Sequence, residues 1–193
     1  MNVVDSVEYW RERYIQNKIV WDCGKITSPF KDYIDQLTDK NLKILIPGCG
    51  NSYEGDYLWQ QGFKNVHVLD FAQEAIVNFK KLSPEFPVEN IIEKDFFEHH
   101  DTYDVIFEQT FFCAIHPSRR EEYVKHRSSL LKENGKLVGV LFNRDFDGGP
   151  PFGGNSEEYR NLFSKYFREL NIDSCYNSIK PRIGTELFIR FVK

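Results

Sequence analysis

The sequence predicts an α/β fold: a doubly wound, Rossmann-like sheet of seven strands, mostly parallel, closed by a C-terminal antiparallel hairpin. Three observations carry that expectation. An apolar run at residues 42–47 breaks into Gly48-Cys49-Gly50 and then turns helical. A second apolar run ends on an acid, Asp70, 20 residues past Gly50. Strand-like and helix-like segments then alternate, until the last two strand-like runs follow each other with no helix between them.

Each element has its own reason. Residues 5–17 read as a helix, with Val7, Trp10 and Tyr14 at helical spacing. Trp21-Asp22-Cys23-Gly24 ends that arm, and residues 32–37 read as a further short helix. Residues 42–47 are the first strand. Tyr53, Tyr57 and Leu58 mark the first crossover helix, and residues 65–70 the second strand. Ala72, Ala75, Ile76, Phe79 and Leu82 share one helix face. Residues 88–93 read as a third strand leading to Asp95, and residues 103–109 as a fourth. Ser118 opens the next helix, with acids three and four residues on as a cap. That helix runs to Leu131 and stops near Asn134-Gly135. Residues 136–142 are the fifth strand. The Gly/Pro-rich segment 143–156 is longer than a connector needs. Residues 157–167 form the last helix, with Tyr159, Leu162, Phe163, Tyr166 and Phe167 on its apolar side. Residues 168–176 and 186–192 are the final strands and should pair antiparallel.

A chain of 193 residues makes one domain, residues 1–193, with residues 1–40 as a helical arm. Twenty-five basic against 29 acidic residues give a net charge of -4, which argues against nucleic acid as a partner. No run approaches the ~18 apolar residues of a membrane helix, so no membrane partner is expected. Four scattered cysteines form no CxxC pair, which fits a reducing, cytoplasmic location. His99-His100 and His116 lack partners at ligand spacing, so no metal is expected. No Ser/His/Asp or Cys/His arrangement is indicated, and Cys113 sits among apolar residues that keep a thiol inert. A monomer acting on a small molecule is the resulting expectation.

Strand, glycine turn, helix, strand, acid is how such a sheet holds a nucleoside. Glycine lets the backbone turn sharply and a ligand approach it. The dinucleotide fingerprint wants a third glycine where this chain has Tyr53, and Glu54 would add charge beside a pyrophosphate. Both suit a cofactor without phosphates. S-adenosylmethionine offers a ribose, whose two hydroxyls Asp70 can accept, and a cationic sulfonium that favours aromatic faces.

The chain also resembles the thiopurine S-methyltransferase superfamily, nearest its thiol/halide methyltransferase branch. The resemblance spans about residues 10–163. It rests on WDCG (21–24), LIPGCG (45–50), Leu69-Asp70, FFCAIHP (111–117), LLKENGKL (130–137) and GGPPF (148–152). It implies a class I methyltransferase fold and the cofactor S-adenosyl-L-methionine, with S-adenosyl-L-homocysteine as product. On the resemblance, Trp10, Tyr14 and Trp21 cover the cofactor, Gly48 passes under its methionine part, and Asp70 holds the ribose. Gly50 and Phe71 complete the cofactor contacts. Asp95 and Phe96 flank the adenine, although Asp95 read alone could equally be a helix cap. Gln109 sits near the methyl group.

The acceptor walls would come from Phe111 and Phe112, one of them core, and from the loop bearing Phe152, with its glycines as hinges. Arg119-Arg120 reads as a solvated helix start. No catalytic residue is assigned. Tyr14, Glu108 and Asp145 are conceivable proton acceptors, but a thiol is partly ionised already and a halide needs no base. Thiopurine enzymes of the family carry Arg where this chain has Gln109, and plant thiol/halide enzymes carry Tyr. The implied acceptor is a small soft nucleophile: a thiol, sulfide, thiocyanate, halide or metalloid. Alternative readings are a thiopurine-type S-methyltransferase, a NAD(P)-dependent oxidoreductase and a non-catalytic nucleoside-binding module.

Overall fold

The computed structural model describes residues 3–193, which divide into two compact units, one ending at His99 and one running from His100 to Lys193. The first unit contains α1 (Val7–Ile15), α2 (Ser28–Asp35), β1 (Ile44–Pro47), α3 (Tyr53–Gln60), β2 (Val66–Asp70), α4 (Gln73–Leu82) and β3 (Ile91–Glu93). Its strands lie in the order β3-β2-β1, all parallel. The second unit contains β4 (Tyr103–Gln109), α5 (Arg120–Ser129), β5 (Leu131–Phe142), α6 (Ser156–Phe163), β6 (Glu169–Ser174) and β7 (Glu186–Val192). Its order is β4-β5-β7-β6, with β4 and β5 parallel and β7 antiparallel to both neighbours. The seven strands and the antiparallel terminal pair match the expectation. Among the described residues, no helix is long and apolar enough to cross a membrane.

In the first unit β1 is buried along its whole length, as a strand covered on both faces must be. Phe30, Leu58, Phe63, Val66, Val68 and Phe79 close the core around it. Ser6 caps α1 by accepting from the Tyr9 N–H at 3.3 Å. Arg11 then grips both oxygens of Glu74 at 3.0–3.1 Å, so the arm helix is tied to α4. Two boundaries differ from the sequence reading. α2 starts at Ser28, before residue 32, because Pro29 at its first turn is pre-set for helix. Residues 88–90 form a 3-10 turn, leaving β3 only three residues, because Val88 is exposed and its apolar character marks no core position.

In the second unit Tyr123, Val124, Leu137, Val138, Ile189 and Phe191 are fully buried. α5 begins at Arg120, not Ser118: residues 117–119 make a 3-10 turn, and Ser118 bonds His116 Nδ1 through both its hydroxyl and its N–H. The helix ends at Ser129, and β5 starts earlier than residue 136. Leu131 already pairs with Tyr103, and a register break before Val105↔Lys136 absorbs the turn chemistry of Asn134-Gly135. α6 is capped by Asn155, whose side chain accepts from the Glu158 N–H at 3.0 Å. It stops at Phe163, so Phe167 is buried from the following loop and not from the helix.

One buried ion pair organises this unit. Arg127, 0% exposed, reaches Glu108 Oε2 at 2.6 Å and the Phe107 carbonyl at 3.0 Å, while the Tyr123 hydroxyl donates to the same Glu108 oxygen. Breaking such a pair leaves a charge without its partner. Arg127→Leu should cost about 3–5 kcal/mol in urea denaturation. A loss under ~1 kcal/mol, the range of surface pairs, would show that Glu108 is accommodated without it.

Candidate active site

The turn after β1 is tight. Gly48, Gly50 and Ser52 all take positive φ, at 58°, 54° and 47°. A side chain at Gly50 would meet Tyr14 Oη at 3.2 Å. A Cβ at Gly55 would fall 2.8 Å from Val68 Cγ1, so the close helix-on-strand approach of the dinucleotide motif is made here by Gly55.

Asp70 braces that turn from the end of β2. Its Oδ2 accepts from the Gly50 N–H at 3.0 Å and its Oδ1 from the Ala72 N–H at 2.9 Å, with the Phe71 N–H also contributing. The carboxylate is 7% exposed. Burial pushes its pKa up to about 6, against those three donors. A carboxylate has about four acceptor sites. The two N–H bonds from Gly50 and Ala72 leave acceptor capacity on both oxygens for the hydroxyls of a ligand.

The aromatic arm residues come together over this turn. Trp21 packs edge-on against Trp10 at 5.4 Å and Tyr14 at 5.7 Å, and its indole bonds the Tyr14 hydroxyl. Burial first, and the Asp70 charge second, push Tyr14 well above an ordinary phenol. It stays protonated at neutral pH, which removes it as a proton acceptor. Phe71 is half-buried beside Asp70. Asp95 accepts from the Phe97 N–H at 2.8 Å and so caps the 3-10 turn Phe96–Glu98. The Phe96 ring is buried in the core, edge-on to the half-buried Phe97.

Sequence reasoning gave no role to the residues that pin the arm down. Asp22 accepts from the Asn51 amide, from the Tyr53 hydroxyl at 3.3 Å and from the Gly24 N–H at 2.5 Å. Glu54, 7% exposed, bonds the backbone of Thr27, while its Oε1 is buried without a partner. Desolvation lifts Glu54 to about 7. Two carboxylates thus fasten residues 22–27 to the start of α3. The only sequence sign of this was acids beside a tryptophan and a glycine turn.

In the second unit Gln109 ends β4, and Thr110 follows with φ 58°, a costly conformation for a β-branched residue. Glu108 Oε1 holds that turn by accepting from the N–H groups of Phe111 at 3.0 Å and Phe112 at 2.7 Å. Phe112 is core and Phe111 half-buried, as expected of the pair. Burial lifts the Cys113 thiol to about 12, so it stays inert. Phe152 donates its N–H to the Cys113 carbonyl at 2.7 Å. Glu108, Thr110, Phe112, Cys113, Phe142 and Glu186 face a cavity of about 10 Å³. Arg120 is no solvated helix start: it is 5% exposed and packed on the loop bearing Phe152. Among the described residues, no group of three or more His, Cys, Asp or Glu could hold a metal.

This architecture is shared with solved methyltransferases. The Burkholderia thailandensis 1,6-didemethyltoxoflavin-N1-methyltransferase, solved with its substrate and S-adenosylhomocysteine, matches at TM-score 0.75 and 15% identity, covering 97% of this chain and 86% of that one. A TehB-like S-adenosylmethionine-dependent methyltransferase from Corynebacterium glutamicum matches at 0.66 and 18%, covering 96% and 99%. The fold is the class I methyltransferase fold.

The model of the thiopurine S-methyltransferase family matches residues 5–184, and the chain belongs to that family. A probable thiol methyltransferase 2 of Arabidopsis thaliana is 30% identical over 95% of this chain and 84% of the relative. A thiopurine S-methyltransferase of Acinetobacter baylyi is 25% identical over 88% and 91%. The chain is an S-adenosylmethionine-dependent methyltransferase. Its first unit suits that cofactor: an acid with an acceptor site left, backbone opened by glycine, and three aromatic rings where a sulfonium gains from π faces.

Glu54 makes a test of the clasp chemistry. Its folded pKa lies above its unfolded one, so the folded chain holds the extra proton between pH ~4.5 and ~7 and stability falls as pH rises through that window. Glu54→Gln keeps the shape and removes the ionisation. The variant should match or exceed the parent at pH 8, by roughly 1–3 kcal/mol, and lose that margin at pH 5. Equal stability at both pH values would show that Glu54 ionises freely.

Proposed function

We propose that the enzyme moves the S-adenosylmethionine methyl group to a small soft nucleophile: a thiol, sulfide, thiocyanate, halide or metalloid. The observation that carries this reading is the mostly apolar pocket after β4, where Phe112, Cys113 and Phe142 face one small cavity. The names of the relatives support it: a probable thiol methyltransferase and, at 27% identity, a thiocyanate methyltransferase 1 from Brassica oleracea. A thiopurine acceptor is the second reading, favoured by the bacterial relatives. Gln109, in place of the family arginine, counts against it.

In this reading Asp70 accepts from the ribose, and Gly48, Gly50 and Phe71 line its approach. Trp10, Tyr14 and Trp21 cover the sulfonium, and Asp95 stands beside the adenine with Phe96, whose buried ring leaves its backbone to make the approach. Gln109 lies near the methyl group. Phe111, Phe112 and Phe152 flank the acceptor. The reaction is direct displacement, so alignment of nucleophile, methyl and sulfur at about 3–3.5 Å does most of the work. A dry site strips water from the nucleophile. No general base is needed for a halide or thiocyanate, and a thiol supplies its own anion in part. A cytoplasmic monomer, with neither membrane nor nucleic acid as partner, completes the reading.

Two measurements test it. Asp70→Ala should weaken S-adenosylhomocysteine binding in calorimetry by about 1.5–3 kcal/mol, roughly 10- to 150-fold in Kd. An unchanged Kd would leave Asp70 as a brace of the turn alone. A methyl-transfer assay over thiols, sulfide, iodide, thiocyanate, selenite and a thiopurine should show turnover of the small acceptors above the thiopurine. The opposite order would overturn the acceptor class.

A further inference from the structure

Arg120 opens α5, where a cation faces the positive end of the helix dipole. It is also almost wholly buried. Both circumstances disfavour a charge, so its surroundings must compensate. Nη1 pairs with Glu158 at 2.6 Å. Nη2 donates to the carbonyls of Phe152 at 3.2 Å and Gly153 at 2.8 Å. The guanidinium carbon sits 4.6 Å from the centre of the Phe112 ring. One planar group therefore touches α6, the 148–154 loop and the turn after β4. Lysine cannot bridge two carbonyls, pair with an acid and stack on a ring at once.

Two further contacts converge on the same loop. The Phe152 N–H reaches the Cys113 carbonyl at 2.7 Å, and the Phe152 ring lies edge-on to His116 at 5.4 Å. Phe112 and Cys113 both face the cavity. The guanidinium thus sets one cavity wall through Phe112, and through the Phe152 carbonyl it holds the loop whose N–H is bound to the other.

We propose that Arg120 is a positioning residue for the methyl acceptor: it clamps the 148–154 loop onto the Phe112–Cys113 turn and so fixes the acceptor walls. It touches neither acceptor nor cofactor. The assignment rests on the reading of Phe111, Phe112 and Phe152 as acceptor-side residues.

The test joins one readout that needs no turnover to one that does. In Arg120→Lys, amide hydrogen exchange at Phe152 and Gly154 should speed up about tenfold, while β4, β5 and β7 keep parental rates. With sodium hydrosulfide as acceptor, KM for the acceptor should rise about fivefold or more, with the KM for S-adenosylmethionine within about twofold of the parent. Exchange that speeds up evenly over the whole unit, or acceptor and cofactor constants that move together, would reduce Arg120 to a structural ion pair. Unchanged exchange and unchanged acceptor KM would overturn the proposal outright. If Arg120→Lys fails to fold, Glu158→Gln decides: it frees one side of the same guanidinium and should raise exchange at Phe152 and Gly154 about threefold, and no change there rejects the clamp. A parent inactive on every acceptor overturns the acceptor reading instead, and the exchange data still judge the clamp.

Discussion

The first unit is organised around one buried carboxylate held by backbone N–H groups. Asp70 ends β2, and its two oxygens take the N–H groups of Gly50 and Ala72. Those donors belong to the two turns that follow β1 and β2. A single side chain therefore sets the geometry of both turns at the strand ends. Bonds to a charged acceptor are worth roughly 1.5–3 kcal/mol each, which offsets the desolvation that raises its pKa. Tyr14 and Trp21 pack over Gly50, so their positions depend on the same brace.

The second unit repeats the device with a different balance. Glu108, near the end of β4, also accepts two consecutive backbone N–H groups from the turn that follows its strand. That is what holds Thr110 in a left-handed conformation. The two acids differ in their remaining partners. Among the described residues, the groups that bond Asp70 are backbone N–H, whereas Glu108 also bonds Arg127 and Tyr123. Glu108 is thus occupied on both oxygens by protein donors. Asp70 retains an acceptor site and a pKa near 6, the combination expected of an acid that meets a ligand.

Much of the fold was legible because periodicity reports burial. β2, β4 and β7 lie where their apolar runs place them, and the Ala75, Ile76 and Phe79 face of α4 is buried as its spacing implies. The errors cluster where local turn chemistry competes with pattern. Pro29 moved a helix start, exposed Val88 imitated a strand, and Leu131 joined β5 ahead of the Asn134-Gly135 turn. The glycines, Asp70 and the arm aromatics stood out because each is odd for its place. Asp22, Glu54 and Arg120 did not. A charged residue reads as solvated until its burial is known, and burial is a property of the packed chain.

The loop after β5 has a neck. Arg144 and Gly154 form an isolated bridge, with the Gly154 N–H reaching the Arg144 carbonyl at 3.1 Å, and the Tyr159 hydroxyl reaches the Phe142 carbonyl just outside it at 2.7 Å. Strand β5 and helix α6 are therefore spliced together independently of what lies between. Lengthening a loop costs little once its ends are joined, about 0.6 kcal/mol per doubling. A change in the length of the segment beyond the neck would be absorbed within the loop itself, while the sheet beneath keeps its register.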